Sequence, residues 1–243
     1  MKLDDLIIIN TERAARRVCV LVTDIDTGAS RLVLEADVSQ DALANDIYKA
    51  IAANKSGMIE IEGAKLFLTV HMPPVRILIL GAVHISQALA PMAQCADFDV
   101  SIVDPRDAFA TPERFPGINM ITDWPDVVLP KLGLDRYTAF VALTHDPKID
   151  DMGLKLALKS ECFYVGALGS RKSHDKRVVR LQNQGLSEAE TKSIRAPIGL
   201  NIGAVNPAEI AVSILGEIIA SLRADRVALK GVAGQSLRQI TNV

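Results

Sequence analysis

Cysteine is scarce in this chain of 243 residues: Cys19, Cys95 and Cys162 are scattered, and no C-x-x-C spacing occurs. That excludes a zinc framework built on paired thiolates and fits a reducing compartment. Net charge is nearly absent too, at −2, which speaks against general binding to nucleic acid or to an anionic membrane surface. No apolar run is long enough to span a bilayer, and the opening Met1-Lys2-Leu3-Asp4-Asp5 carries acids that a signal peptide avoids. The cytoplasm is therefore the expected location. Internal repeats and low-complexity tracts are missing as well.

What is present is apolar residue in quantity. At 49% hydrophobic content the chain can bury an ordinary core and divide into two domains. The division falls near Met72-Pro73-Pro74. Before it, the pattern predicts a helix over 3–17, a hairpin of strands 18–23 and 31–35 around Asp26-Thr27-Gly28, a helix over 41–53, and short strands over 58–61 and 65–70. Residues 1–72 thus read as a small α+β domain. Beyond the prolines, strand-like runs without a polar face (76–80, 98–103, 139–144, 163–165) alternate with helical patterns, which predicts a parallel sheet covered on both faces over 75–223. The fold class is α/β: a Rossmann-like parallel sheet domain with a small N-terminal α+β domain.

The last long helix is signalled by Asn206 as N-cap, Pro207 at the first helical position and Glu209 to close a capping box. Ile210, Ile214, Ile218 and Leu222, joined by Ala211, Leu215 and Ile219, form its apolar face. The helix is expected to end near Asp225, leaving 224–243 as a loosely held tail.

The strand Arg76 to Leu80 runs into Gly81-Ala82-Val83-His84-Ile85-Ser86, the position of the Rossmann phosphate turn. Val83 and Ser86 stand where the second and third glycines of G-x-G-x-x-G belong, so close approach of a pyrophosphate is obstructed. Polar clusters follow the other strands. Asp104-Pro105-Arg106 lies about twenty residues on, where such folds place an acid on a ribose hydroxyl, and Arg106 is then poised for a phosphate. Equally, Asp104 caps the turn before Pro105. Thr144-His145-Asp146, with Asp150 and Asp151, offers an acid/base pair or simply a capped helix start, and its spacing matches no zinc pattern. His84 faces either a ligand or the backbone. The stretch Gly166-Ala167-Leu168-Gly169-Ser170-Arg171 is a better anion site, because a relaxed loop leads into a helix N-terminus beside an arginine. The alternative for the basic run after it is a solvated helix face. A further glycine loop around Gly199 precedes the last helix.

Taken in order, Gly81-Ala82-x-His84-Ile85, Asp104-Pro105-Arg106, Thr144-His145-Asp146 with Asp150, Tyr164-Val165-Gly166-x-Leu168-Gly169-Ser170-Arg171, Pro197-Ile198-Gly199-Leu200 and Pro207-x-Glu209-Ile210-Ala211 resemble the C-terminal Rossmann domain of the xanthine dehydrogenase accessory (XdhC/CoxI) family, over roughly 75–223. The resemblance implies a maturation factor without catalytic residues of its own. Such a factor binds molybdenum cofactor and assists its sulfuration and insertion into a molybdenum hydroxylase such as xanthine or carbon monoxide dehydrogenase. It also implies a cysteine desulfurase as a second partner; a homodimer is expected separately, because Rossmann sheets expose surface and most soluble oligomers are symmetric dimers. Cofactor contacts are then assigned to Gly81, His84, Asp104, Arg106, His145, Asp146, Gly166, Gly169, Ser170, Arg171 and Gly199. Two departures stand out. Val83 replaces a usual glycine, and residues 1–72 lack the Gly-Ser-Ser-Pro-Arg and Gly-Gly-Cys-x-Glu segments of the family's N-terminal domain, which leaves cysteine-based sulfur handling unsupported. The rival readings are an NAD(P)-dependent oxidoreductase, which the degraded turn and the lack of a proton-relay pair disfavour, and a nucleotide-binding regulatory protein.

Overall fold

The computed structural model describes the backbone of residues 2–240 and the side chains of residues 2–223. Two compact units meet in sequence between Pro74 and Val75.

The first unit begins with α1 (Leu3–Ala14), followed by strands β1 (Cys19–Asp24) and β2 (Ser30–Leu34). The hairpin between them turns where Asp24 Oδ1 accepts the N–H groups of Asp26 and Thr27 at 3.0 and 2.8 Å. A 3-10 turn, α2 (Ala44–Ala53), β3 (Gly57–Ile61) and β4 (Ala64–His71) complete an antiparallel sheet in the order β2-β1-β4-β3. Ile47 of α2 is fully buried among Val20, Val22, Val33 and Leu68, so one sheet face is covered by that helix.

The second unit is a parallel sheet. Its strands are β5 (Arg76–Leu80), β6 (Asp99–Val103), β7 (Asn119–Ile121), β8 (Thr138–Ala142) and β9 (Tyr164–Ala167), in the order β7-β6-β5-β8-β9. β5 is central and pairs parallel on both sides. Side chains alternate across it. Ile77 and Ile79 pack with α3 (His84–Cys95) and α8 (Pro207–Ile240). Leu78 and Leu80 pack with α4 (Pro125–Leu132), α5 (Pro147–Lys159) and α6 (Arg171–Asn183). Every residue of the strand is buried: residues 77–80 as their apolar run requires, and Arg76 with its guanidinium donating to Thr138 Oγ1 and the Leu132 carbonyl. The short helix α7 (Glu188–Lys192) links α6 to the loop before α8.

Helix α8 opens as its sequence indicates: Asn206 Oδ1 accepts the Glu209 N–H at 2.9 Å, and Glu209 Oε2 accepts the Val205 N–H at 2.7 Å. Ala211, Ile214 and Ile218 are fully buried, whereas Ile219 is 37% exposed and faces away from the core. The helix continues past the end expected at Asp225. Of the tail expected over 224–243, residues 224–240 continue the helix, and 241–243 lie outside the described residues.

Candidate functional site

Because all five strands run the same way, the turns that follow them emerge at one edge of the sheet. That edge is where open α/β sheets bind ligands. The segments expected to carry chemistry after β5, β6, β8 and β9 are gathered there by topology alone.

The turn after β5 is occupied by the protein itself. Gly81 has φ +116°, and a Cβ there would lie 2.8 Å from Thr144 Cγ2, so the glycine is required by the turn's seat against the end of β8. The Ala82 N–H donates to Asp104 Oδ2 at 2.7 Å. The Val83 N–H donates to Ser86 Oγ at 3.4 Å, and the Ser86 hydroxyl donates to the Gly81 carbonyl. Arg114 donates to the Ala82 carbonyl at 3.1 Å and to Gln87 at 3.2 Å. His84 is exposed on the first turn of α3.

Asp104 is completely buried. Besides Ala82, it accepts from the Arg106 backbone N–H at 3.0 Å and from Arg106 Nε and Nη2 at 2.9 and 2.7 Å. Burial pushes its carboxyl up, but the Arg106 guanidinium and the two backbone donors outweigh that and hold it below its ordinary value. Both oxygens thus have partners within the chain, one of them the turn cap weighed for Asp104 before Pro105, and the side chain ties the β6 end to the β5 turn. Arg106 stacks over Phe109 at 4.5 Å and remains one-third exposed.

After β8, Asp146 caps α5 by accepting the Lys148 N–H at 2.9 Å, with Pro147 at the first helical position. His145 has φ +61°, the left-handed region that costs a residue with a Cβ about 1 kcal/mol or more. This strained bend sits between the strand and the capped helix. One turn into α5, Asp150 is 1% exposed. Its Oδ1 accepts the Thr144 hydroxyl at 2.6 Å, while Oδ2 is buried without a partner. Burial pushes this carboxyl above its ordinary value, against the Thr144 bonds and the charge of Arg177.

The turn after β9 differs from the other two. Ser170 caps α6, accepting the Ser173 N–H at 3.3 Å. The N–H groups of Gly169, Ser170, Arg171 and Lys172 meet no acceptor among the described residues. Gly169 has φ +137°. Arg171 and Lys172 are exposed, whereas Arg177, two turns on, is buried. Arg177 Nη2 donates to the Leu168 carbonyl at 2.8 Å, and its Nε and Nη1 have no partner. Its neighbour Arg180 is bound instead to Asp151, at 2.6 and 3.0 Å.

Two of the expected contact residues lie in the body of the fold. A Cβ at Gly166 would fall 2.6 Å from Ile198 Cδ1 and 2.7 Å from Tyr164 Oη, and one at Gly199 would overlap Ser213 of α8. The Gly199 N–H donates to Glu217 Oε2 at 2.8 Å, and the Tyr164 hydroxyl donates to the same oxygen at 2.6 Å. These glycines let β9 and α8 pack closely. Among the described residues, no three His, Cys, Asp or Glu side chains gather as a metal site. No described helix is long and apolar enough to cross a membrane.

A family model described as the XdhC Rossmann domain matches residues 77–218, essentially the parallel sheet and its helices. The chain belongs to that family. Three relatives are similar to it. An uncharacterized protein, YqeB, of Escherichia coli K12 is 30% identical over 155 residues, which is 63% of this chain and 28% of the relative. The molybdenum cofactor insertion chaperone PaoD of the same organism is 32% identical over 151 residues, 62% of this chain and 41% of the relative. A probable xanthine dehydrogenase subunit of Bacillus subtilis 168 is 29% identical over 180 residues, 74% of this chain and 52% of the relative. Their alignments with this chain thus span between about a quarter and a half of the relatives' own lengths. A crystal structure from Bacillus halodurans described as a xanthine dehydrogenase shares the fold, with TM-score 0.70 over 93% of this chain and 68% of that one at 23% identity.

Arg177 is the functional candidate that sequence reasoning missed. It stands four residues before Leu181, which is fully buried, so helical spacing puts both on one inward face. The five basic residues around it in 171–180 disguised that signal as a solvated stripe.

Proposed function

We propose that this chain is a maturation factor that binds molybdenum cofactor and assists its sulfuration and insertion into a molybdenum hydroxylase of the xanthine or carbon monoxide dehydrogenase type. The observation that carries this reading is the contrast between two turns of one sheet edge. Where a dinucleotide's pyrophosphate would bind, the Ala82 and Val83 N–H groups are taken by Asp104 and Ser86, and no lysine or arginine follows on the first turn of α3. At the start of α6, backbone N–H groups stand free beside basic side chains. A ligand with a terminal phosphate suits the second and not the first. Molybdenum cofactor carries such a phosphate on its pterin, and the residues present fit it: Gly169, Ser170 and Arg171 would hold the phosphate, with His145 and Asp146 at the neighbouring turn. The metal chemistry would belong to the cofactor, and the protein's part is to bind, orient and release it. Similarity to PaoD, a molybdenum cofactor insertion chaperone, supports the same reading.

Cysteine-based sulfur transfer by this chain is not part of the proposal. Burial pushes the Cys19 thiol up to about 11 and the Cys162 thiol to about 12, so neither is a thiolate near neutral pH. The deciding experiment is mass spectrometry of whatever small molecule the full-length chain retains when purified from its own host. A phosphorylated pterin bearing molybdenum is the expected result. Stoichiometric NAD or NADP in its place would overturn the reading.

A further inference from the structure

We infer that Arg177 is the buried half of a phosphate site whose exposed half is the N-terminus of α6, and that Asp150 weakens this site by opposing the anion. The inference deepens the reading above and rests on its anion-binding half alone.

Arg177 is 4% exposed, and of its donors only Nη2 has a partner, the Leu168 carbonyl. Nε and Nη1 are buried and unpaired. Leaving charged donors unmatched in the interior is costly, so a fold that does it at one arginine while pairing Arg180 with Asp151 next to it has a use for the charge. The location supplies that use. A Cβ on Gly169 would sit 3.7 Å from Arg177 Nη2 and 4.0 Å from Nη1, so the guanidinium lies directly beneath the turn that carries the free N–H groups of residues 169–172. An oxyanion seated on those donors is close to this charge, whose burial spares it from solvent screening. Arg171 projects into solvent, and its charge is screened.

The remaining groups that face Arg177 fix the sign of the local field. On α5, Asp151 is neutralised by Arg180. Asp150 lies within electrostatic reach but makes no bond to Arg177: its Oδ1 holds Thr144, and its Oδ2 is empty. On α6 itself, His174 has a buried Nδ1 without a partner and adds no negative charge. Asp150 is therefore the one unpaired carboxylate among the described groups acting on Arg177, and a bound phosphate must compete with it. Phosphate fits this arrangement better than a carboxylate, because it presents oxygens at once to a fan of N–H groups and to a cation behind them.

The test is a titration of inorganic phosphate into the full chain, read at the amide resonances of Gly169, Ser170, Arg171 and Lys172. Those amides are expected to shift together. Arg177→Gln is expected to weaken phosphate about ten- to a hundredfold, and more than Arg171→Ala does, whereas Asp150→Asn is expected to tighten it. Amides that do not move, or a loss confined to Arg171→Ala, would overturn the proposal. Should Arg177→Gln fail to fold, Asp150→Asn decides alone: affinity equal to or below the parent chain refutes the opposition described here. Retained phosphate binding in a chain that carries no pterin from its host would sink the cofactor reading and leave this site standing.

Discussion

The carboxylate of Asp104 accepts the backbone N–H of Ala82 at 2.7 Å, joining the end of β6 to the turn after β5. In a dinucleotide-binding fold these two positions serve the ligand, the acid holding a ribose and the turn a pyrophosphate. Here they serve each other. With the Val83 side chain at the glycine position and Arg114 on the Ala82 carbonyl, NAD and NADP should bind this chain poorly. Isothermal calorimetry checks it, and a low-micromolar dissociation constant would show that the turn rearranges to admit the cofactor.

Removing that link should cost stability. Asp104→Ala leaves the buried Ala82 N–H without its acceptor and Arg106 without its partner, an expected loss of roughly 1–3 kcal/mol, discounted at Arg106 because that side chain is partly solvated. Gly81→Ala should destabilise by a comparable amount, about 1–3 kcal/mol, from its positive φ and its contact with Thr144. Urea denaturation midpoints measure both. Because the folded Asp104 carboxyl lies below its ordinary value, its contribution is present above about pH 4 and is lost as pH falls through the folded value. The stability gap between Asp104→Ala and the parent chain should therefore narrow on acidification.

The parallel sheet was legible because a strand buried on both faces carries an almost unbroken apolar run, and residues 77–80 show that run bounded by a glycine. The capping box of α8 was legible because it is written in three adjacent residues. Strand β7 and helix α4 escaped notice for physical reasons. β7 spans only Asn119–Ile121, too short for periodicity, and α4 carries Pro125 and Pro130 within eight residues, which reads as loop. At the site, the free N–H groups of α6 followed from its glycine turn, but the burial of Arg177 and the internal use of Asp104 are settled by contacts between elements distant in sequence. A charge pattern along one chain does not show which charge faces inward.

The cysteines should differ sharply in reactivity. Cys95 is exposed, Cys19 is 1% exposed, and burial raises the thiols of Cys19 and Cys162 far above neutrality. Brief treatment with iodoacetamide near pH 8, followed by peptide mapping, should label Cys95 first and leave the other two largely unmodified. Rapid labelling of Cys19 in the folded chain would reopen a sulfur-carrying role for it.

Asp150 gives the opposite pH signature to Asp104. Its carboxyl is raised in the folded state, chiefly by burial, so the native chain holds the proton more tightly than the unfolded chain does. Below the unfolded value of about 4, both states are protonated and the group contributes nothing to the pH slope. As pH climbs from there through the folded value, the unfolded chain ionises first, and native stability falls relative to a neutral side chain. Asp150→Asn keeps an oxygen to accept the Thr144 hydroxyl while removing the titration. The variant should match the parent chain in acid and surpass it at neutral pH. A midpoint higher by a few degrees corresponds to about 1 kcal/mol at this chain length. Thermal melts at pH 4 and pH 8 measure the comparison. A variant less stable than the parent at pH 8 would mean that the ionised carboxylate is held favourably by Arg177, and that the two form a structural pair.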